Sequence, residues 1–354
     1  MPVANVQSSL KLSWREMMSD YVTAIAWTVK GDRLAACSAC GEVTLFDAKT
    51  GKATVLQSPQ GPSLDALSIS HDGKFLAAAG QAGTVTIWQI DAEVPRLLKQ
   101  LTYARVWIDR LRWNPCHPEL AFSLGRYAQV WDAPTLTLVT TLNFADSSVL
   151  DLAWHPQGES LSVSGNQNIK TWQRQDWDDD PEVRETGGAG VAIVWSPDGH
   201  YLASGNNDRS VLVWEEGNPH PWKMEGYPGK VQQLAWSTPT TGAPILASTS
   251  AEGVLTWTKD ADPYVGWNAQ VLKEHTETVT AIAFKPDSRL LASAAEDGRI
   301  CLWNKAGQMT QVLQGAPKGF STLSWNSQGT SLAAAGQQGE VLVWKAEIRG
   351  KGFK

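Results

Sequence analysis

The chain has 354 residues, with 30 lysines and arginines against 36 aspartates and glutamates, so its net charge is −6. This balance gives no general attraction to a nucleic-acid backbone or an anionic membrane. The first residues, MPVANVQSSLKLSW, lack a signal-peptide pattern, and no segment approaches the ~18 apolar residues of a membrane-spanning helix. Four cysteines are too few for a disulfide framework. We therefore expect a cytoplasmic protein that binds neither nucleic acid nor membrane.

Large aromatic residues recur along the chain in two series that keep step with each other. One series closes short alternating stretches such as EVTLF, TVTIW and SVLVW. Its members are Phe46, Trp88, Trp131, Trp172, Trp214, Trp257, Trp303 and Trp344. The second series precedes the first by 18 to 21 residues each time. Its members are Trp27, Ile69, Trp113, Trp154, Trp195, Trp236, Phe284 and Trp325. Two registers that repeat eight times predict eight copies of one structural unit.

Each unit begins with an apolar stretch such as VTAIAW, continues through a turn such as Pro-Asp-Gly, and contains a second tight turn before its closing aromatic residue. The flanking segments alternate with a period of two residues, which is typical of antiparallel strands joined by hairpin turns. A fourth, less regular strand fits in the link to the next unit, for example at 53–57 or 309–315. The sequence therefore predicts units of three or four short strands.

Unit seven, EHTETVTAIAFKPDSRLLASAAEDGRICLWN, resembles a nearly complete WD repeat, and the resemblance extends over most of the chain. The resemblance implies an all-β fold, a single β-propeller of four-stranded antiparallel blades. It also implies a buried hydrogen-bond set in unit seven, formed by His275, Ser293, Asp297 and Trp303. The other units lack the histidine at this position, and we expect the packing of their aromatic residues to substitute for the missing bonds.

Eight repeats predict eight blades, with seven as the alternative. The chain ends soon after the third strand of the last unit, so residues from about 8 to 18 are expected to supply its outer strand and remove a free sheet edge. The corresponding organisation is an N-terminal extension at 1–7, a propeller at 8–346 and a tail at 347–354.

Cys37 and Cys40 are separated by two residues, which is the spacing of half a metal or redox site. A zinc site needs four ligands, and no second pair with this spacing occurs in the chain. Alignment on Trp303 places Cys37 in a middle strand and Cys40 in the following turn. We expect two small residues that fill small spaces, with a metal-binding or metal-handling accessory protein as the alternative.

Two other stretches carry alternative interpretations. The segment DAKTGK at 47–52 is similar to a turn of quinoprotein propellers, which makes a propeller enzyme of that kind a weaker alternative. The segment DWDDDPEVRE at 176–185 is strongly acidic, but it lacks the glycine of a calcium-binding EF-hand loop. We expect it to be a solvated loop.

No nucleophile elbow, phosphate-binding loop or other catalytic motif occurs in the sequence. We therefore expect a non-catalytic, monomeric scaffold that needs no cofactor and binds protein or peptide partners through its loops and channel mouth. The resemblance implies that residues just before each first strand lie on one face of the ring. Tyrosine, tryptophan and arginine dominate binding hot spots. The candidate contact residues, chosen on that basis with one further cation, are Tyr21, Arg105, Trp107 and Lys230.

Overall fold

A computed structural model describes residues 9–238, 242–262 and 264–347. Within these ranges every regular element is a β-strand and every sheet is antiparallel. The extension expected at 1–7 and most of the expected tail, 348–354, lie outside the described residues.

The first four units each contain four consecutive strands. In unit one these are β2 (Val22–Trp27), β3 (Arg33–Ser38), β4 (Val43–Asp47) and β5 (Ala53–Gln57). In unit two they are β6 (Leu64–Ile69), β7 (Phe75–Gly80), β8 (Thr84–Gln89) and β9 (Arg96–Thr102). In unit three they are β10 (Leu111–Trp113), β11 (Glu119–Leu124), β12 (Tyr127–Asp132) and β13 (Thr137–Asn143). Unit four has β14 (Asp151–Trp154), β15 (Ser160–Ser164), β16 (Asn166–Gln173) and the first half of β17 (Glu182–Trp195).

The remaining units follow the same order, apart from the strands that join their ends. Unit five uses the second half of β17 with β18 (Tyr201–Asn206), β19 (Val211–Glu215) and β20 (Trp222–Met224). Unit six has β21 (Gln233–Trp236), β22 (Leu246–Ser250), β23 (Gly253–Lys259) and β24 (Trp267–Leu272). Unit seven has β25 (Val279–Phe284), β26 (Leu291–Ala295), β27 (Arg299–Asn304) and β28 (Gln308–Gln314). Unit eight has β29 (Phe320–Trp325), β30 (Ser331–Gly336), β31 (Glu340–Ala346) and the N-terminal strand β1 (Leu10–Met17).

The described strands form seven sheets, of which six have four strands and one has seven. The seven-stranded sheet holds two units, because β17 pairs with β16 through residues 182–189 and with β18 through residues 190–195. The first strands of neighbouring units contact one another in sequence, and β29 contacts β2. This closed ring of four-strand units is a β-propeller, as the sequence predicted.

The two ends of the chain meet in unit eight. Strand β1 pairs with β31, from Leu10 opposite Ala346 to Met17 opposite Glu340. The indole of Trp14 is buried and donates to the carbonyl oxygen of Ala48 at 3.0 Å. The N-terminal strand therefore covers the edge of β31 and also contacts unit one.

Apolar residues form layers between neighbouring units rather than one central core. For example, Trp88 of unit two lies in one buried cluster with Ala35, Cys37 and Leu45 of unit one. The aromatic residues of the first strands also join units by hydrogen bonds of 3.0 to 3.2 Å. These bonds run from the indoles of Trp27, Trp113, Trp154 and Trp236 to the carbonyl oxygens of Ser324, Ser68, Arg112 and Val194.

Antiparallel order gives the ring two different faces. The top face carries the links into each first strand and the second hairpin turns, and the bottom face carries the first and third hairpin turns. The first turn of unit two shows why the sequence bends there. Gly73 has a φ of 71°, which favours glycine, and the hydroxyl of Ser70 bonds to Asp72 and to the amide of Phe75.

Candidate functional site

The link into unit three, residues 103–110, carries the most exposed aromatic side chain of the predicted set. Trp107 is 56% exposed, and its indole donates to Oδ2 of Asp65 in unit two at 2.8 Å. The ends of the link are fixed by backbone bonds from Tyr103 to Gly83 and from Ile108 to Gly80. Trp107 is therefore held in place while its ring stays accessible.

Arg105, in the same link, is exposed and has a φ of 61°. This left-handed conformation is uncommon for a residue other than glycine. Gly83 of unit two also has a positive φ, and a Cβ there would collide with the carbonyl oxygen of Val106. The backbones of the link and of the second hairpin turn of unit two therefore lie close together.

Four charged residues of units three and four line the channel wall. Nε of Arg110 lies 3.3 Å and Nη2 of Arg112 lies 3.4 Å from Oδ1 of Asp151 in unit four. Asp151 is almost fully buried, and its other oxygen accepts the amide of Ile193 in unit five at 3.0 Å. Arg110 also contacts Asp109 at 3.2 Å. This network joins units three, four and five at the channel.

The network borders a channel cavity of about 560 Å³ that is lined by first-strand residues of units one to six. Its wall combines the carboxylates of Asp65, Asp109 and Asp151 with the two guanidinium groups. The arginine side chains are 33% and 48% exposed, so they retain donors that a ligand can use. An accessible indole beside donors and acceptors of both signs suits a peptide better than a single ion.

The two remaining candidate residues lie on the same face in other units. Tyr21 is half-buried, and its pKa is raised by burial and then by the nearby Glu296 carboxylate of unit seven. Lys230 is exposed in the link into unit six. Among the described residues, no hydrogen bond or ion pair joins Tyr21, Lys230 and Trp107. The structure thus places the four predicted contact residues at three points of the top face.

Sequence reasoning missed Asp65, Arg110, Arg112 and Asp151. A signal was present, because Asp65 and Asp109 occupy the position four residues before the end-of-strand residues Ile69 and Trp113, where other units have Thr, Ser, Gln or an apolar residue. What the sequence did not reveal was the contact between arginines of unit three and an aspartate of unit four.

The structure brings the four residues of the unit-seven set together. His275 lies 3.0 Å from Asp297 through Nδ1 and 2.8 Å from the Ser293 hydroxyl through Nε2. The Trp303 indole donates to the same hydroxyl at 2.9 Å. The chain of bonds fixes the link before β25, the middle strand β26 and the third strand β27.

The expectation that packing alone replaces this set in the other units was wrong for unit six. Tyr227 occupies the place of the histidine there. Its hydroxyl lies 2.8 Å from the Ser248 hydroxyl and accepts the indole of Trp257 at 2.8 Å. Burial raises the pKa of Tyr227 to about 12, so its hydroxyl stays protonated at neutral pH. The sequence did not predict this role of Tyr227, because its phenol differs in shape from the imidazole of histidine. Both groups can nevertheless donate and accept hydrogen bonds.

Cys37 and Cys40 have separate surroundings. Cys37 lies in β3 and is fully buried, with its sulfur 3.2 Å from the Thr23 hydroxyl and 3.6 Å from the Leu64 carbonyl oxygen. Burial raises the pKa of Cys37 to about 12. Cys40 lies in the turn after β3, with its sulfur 3.3 Å from the Ser38 hydroxyl. A protonated, enclosed thiol is a poor metal ligand.

Across the described ranges, no group of three or more histidine, cysteine, aspartate or glutamate side chains has the arrangement of a metal site.

In the segment DAKTGK, the Asp47 carboxylate accepts hydrogen bonds from the amide of Thr50 at 2.8 Å and from the hydroxyl of Thr50 at 2.7 Å. Hydrogen bonds from Thr50 lower the pKa of Asp47. The carboxylate thus stabilises its own turn. No helix in the described part of the chain could span a bilayer.

Comparison with known proteins supports the repeat assignment. The model of the WD domain, G-beta repeat, matches residues 53–89, 136–173, 183–215 and 266–304. The chain is 25% identical over 286 residues to the transcriptional corepressor LEUNIG_HOMOLOG of Arabidopsis thaliana, which covers 78% of this chain and 34% of that protein. It is 23% identical over 237 residues to Protein HIR1 of Cryptococcus neoformans, covering 56% of this chain and 26% of that protein.

A third relative, Protein HIR1 of Yarrowia lipolytica, is 27% identical over 182 residues, which are 42% of this chain and 16% of that protein. The chain therefore spans about a third or less of the length of these relatives. The four segments that match the WD domain model lie in units whose strands and turns the structure describes. Four segments of the chain thus match the WD domain, G-beta repeat, and the chain has the propeller fold that its sequence predicted.

Proposed function

We propose that this scaffold captures a protein or peptide partner at the top-face channel mouth, with Trp107 and Arg105 as its principal contacts. WD repeats and the similarity to a corepressor support a non-catalytic role in protein interaction and complex assembly. The observation that carries the choice of site is the exposed Trp107 ring held by Asp65. An aromatic anchor that is already ordered loses little entropy on binding.

The partner that fits this mouth is an amphipathic peptide with an acidic group. An apolar side chain would pack on Trp107, and a carboxylate would meet Arg105, which has no hydrogen-bond or ion-pair partner among the described residues. Arg112 lines the channel cavity and would supply a further cation. Tyr21 and Lys230, at other points of the same face, would extend the contact for a larger partner.

The test is capture of partners from a native lysate by the wild-type protein and by the double variant W107A/R105A. We expect the variant to lose the main partner while its melting temperature stays within a few degrees, since both side chains are exposed. The matched control is Y264A/R209A, because Tyr264 is also an exposed aromatic residue and Arg209 has a similar φ of 68°.

Retention of the partner by W107A/R105A would refute the site. Loss of the partner in the control as well would show that the effect is not local. Turnover of a substrate by the purified protein without a partner would refute the scaffold itself.

We also infer that the isolated chain is monomeric and cytoplasmic. Strand β1 covers the edge of β31 from within the same chain, which removes one route to self-association. The free cysteines fit a reducing compartment. Light scattering tests the monomeric state, and cell fractionation tests the location. Because one relative is a transcriptional corepressor, recovery of the protein in the nuclear fraction is the result that would contradict a cytoplasmic location.

A further inference from the structure

A second concave surface lies on the bottom face, between units four and five. It has a volume of about 1010 Å³ and is lined by the first hairpin turns of both units, the start of β17 and the end of β19. We call it the acidic groove. Its described lining residues include Trp195, which also lines the channel cavity, but neither Trp107 nor Arg105, so variants at those two residues test the channel mouth separately.

The floor of the acidic groove is built around Trp195. Its indole donates to the hydroxyl of Ser162 at 3.1 Å, whereas the indoles of four other first strands donate to a backbone carbonyl. His155 packs edge-on against Trp195 with ring centres 4.8 Å apart. Arg184 lies over the indole at 6.0 Å and donates to Thr171 at 3.0 Å. These contacts give the groove an ordered aromatic floor.

The walls of the acidic groove are strongly negative. Six carboxylates line it, and the only lysine or arginine among its described lining residues is Arg184. The acidic side chains are those of Glu159, Glu182, Glu185, Asp198, Glu215 and Glu216.

Two of these carboxylates pair with a lysine or arginine, and two others have no side-chain partner in the described part of the chain. Arg184 pairs with Glu182 at 2.7 Å, and Lys259 pairs with Glu215 at 2.6 Å. Glu159 and Glu185 are exposed and have no side-chain hydrogen bond or ion pair with any described residue. Their carboxylates are therefore available to a ligand cation.

The acidic stretch of the sequence extends the same surface. Its loop is fixed to unit four because the Trp177 ring packs edge-on against Trp154, with centres 6.0 Å apart. Asp178, Asp179 and Asp180 are exposed just before the strand that forms the groove wall. The loop therefore adds negative charge at one end of the acidic groove.

A separate observation points to a missing partner. Nδ1 of His155 is buried and has no hydrogen-bond partner among the described residues, although His155 lines the groove. Buried polar atoms are usually bonded, so this unbonded nitrogen is a polar group of a groove-lining residue that the described side chains leave unsatisfied. His155 can donate or accept there, according to its tautomer.

We propose that the acidic groove binds a peptide segment rich in lysine and arginine. Unpaired Glu159 and Glu185 would meet the cationic groups, and the exposed Val183 and the half-buried Trp195 would contact the aliphatic stems of these long side chains. The groove is larger than one ion requires, and its negative potential repels phosphate groups, which argues against nucleic acid. Opposite charge would mainly speed association and set specificity.

The test uses fluorescence anisotropy with a fluorescein-labelled peptide rich in arginine and lysine, and with a second peptide in which glutamine replaces each cation. The variant E159Q/E185Q removes the two unpaired charges. We expect its Kd for the basic peptide to rise by about fivefold or more, and the binding to weaken as salt is raised. The matched control E93Q/E252Q removes two exposed glutamates that lie outside the groove.

Three results would overturn the proposal: equal weakening in E93Q/E252Q, equal binding of the glutamine peptide, or no binding of the basic peptide. The variant W107A/R105A should bind the basic peptide as the wild type does. If it alone loses the peptide, the channel mouth is the site and the acidic groove is not.

Discussion

The channel wall contains two arcs that hold neighbouring units together by different chemistry. In one arc, a hydroxyl near the start of each first strand donates to a carbonyl oxygen of the next unit. Thr280 donates to Phe320 at 2.8 Å, Ser321 donates to Val22 at 2.6 Å, and Thr23 donates to Leu64. This hydroxyl arc runs from unit seven through units eight and one to unit two.

The other arc has carboxylates at the corresponding positions of units two and three. A carboxylate cannot donate a hydrogen bond, so Asp65 accepts the Trp107 indole, and Asp109 pairs with Arg110. In this part of the channel wall, units three and four are joined by Arg110 and Arg112 with Asp151. We call this the charged arc.

The difference shows how one repeat can provide both closure and a site. The hydroxyl arc contains the seam where the chain ends meet, and its short neutral side chains fill the channel wall. The charged arc borders the cavity and exposes Trp107. Repeats that depart from the common pattern therefore coincide with the site that we propose.

The largest expected effect is at the seam of the hydroxyl arc. Removing residues 1–18 deletes β1 with buried Leu10, Trp14 and Met18 and exposes the edge of β31. Burial of a large apolar side chain contributes about 1.5–3 kcal/mol. We expect the free energy of unfolding to fall by about 5 kcal/mol or more, measured by denaturant titration. Removing residues 1–7 is the control. An unchanged free energy of unfolding after the longer deletion would contradict the closure of the ring by β1.

The next largest effect is expected in the charged arc. Asp151→Ala removes the acceptor of two guanidinium groups and leaves the buried amide of Ile193 without a partner. We expect a loss of about 2–3 kcal/mol, since an unsatisfied buried group adds its desolvation penalty. The exposed carboxylate of Asp91 supplies the control, and D91A should unfold close to wild type. A D151A protein as stable as D91A would show that the network adds nothing to stability.

A smaller effect is expected from each hydroxyl of the other arc. Ser321→Ala removes one hydrogen bond to unit one, which is worth about 1 kcal/mol. Ser327→Ala is a matched control, because its exposed hydroxyl also donates to unit one, at Val29. Chemical denaturation should show the larger loss for S321A. Equal losses would mean that position in the channel wall does not matter, and the contrast between the arcs would then weaken.

The repeat made the fold predictable, whereas side-chain contacts between units were not. The period of the aromatic residues fixed the strand order, and the position of the last unit's third strand predicted the pairing of β1. Neither showed that Tyr227 replaces a histidine, because that choice depends on where one hydroxyl lies in three dimensions. The Arg112–Asp151 contact joins unit three to unit four, so the spacing of residues within one unit could not reveal it.

The smallest effect concerns Cys37, which lies behind the hydroxyl arc. Its sulfur contacts the same Thr23 hydroxyl that joins units one and two. We expect a disulfide reagent to modify exposed Cys116 rapidly in the native protein and Cys37 only after unfolding. Mass spectrometry of the labelled peptides measures the two rates. Equal rates would show that this part of the arc opens readily.

The pH dependence of the free energy of unfolding gives a further check on the same thiol. Burial raises the pKa of Cys37 from 9.0 in an ordinary setting to about 12 in the folded chain. The folded state therefore holds its proton more tightly than the unfolded state, so the stabilisation is complete below pH 9.0 and is lost as pH rises toward 12. The variant C37A should lack this part of the alkaline decline. If C37A and wild type lose stability in parallel as the pH rises, Cys37 is not an enclosed thiol. The same conclusion would follow if purified wild type carried about one zinc per chain that C37S/C40S lacked.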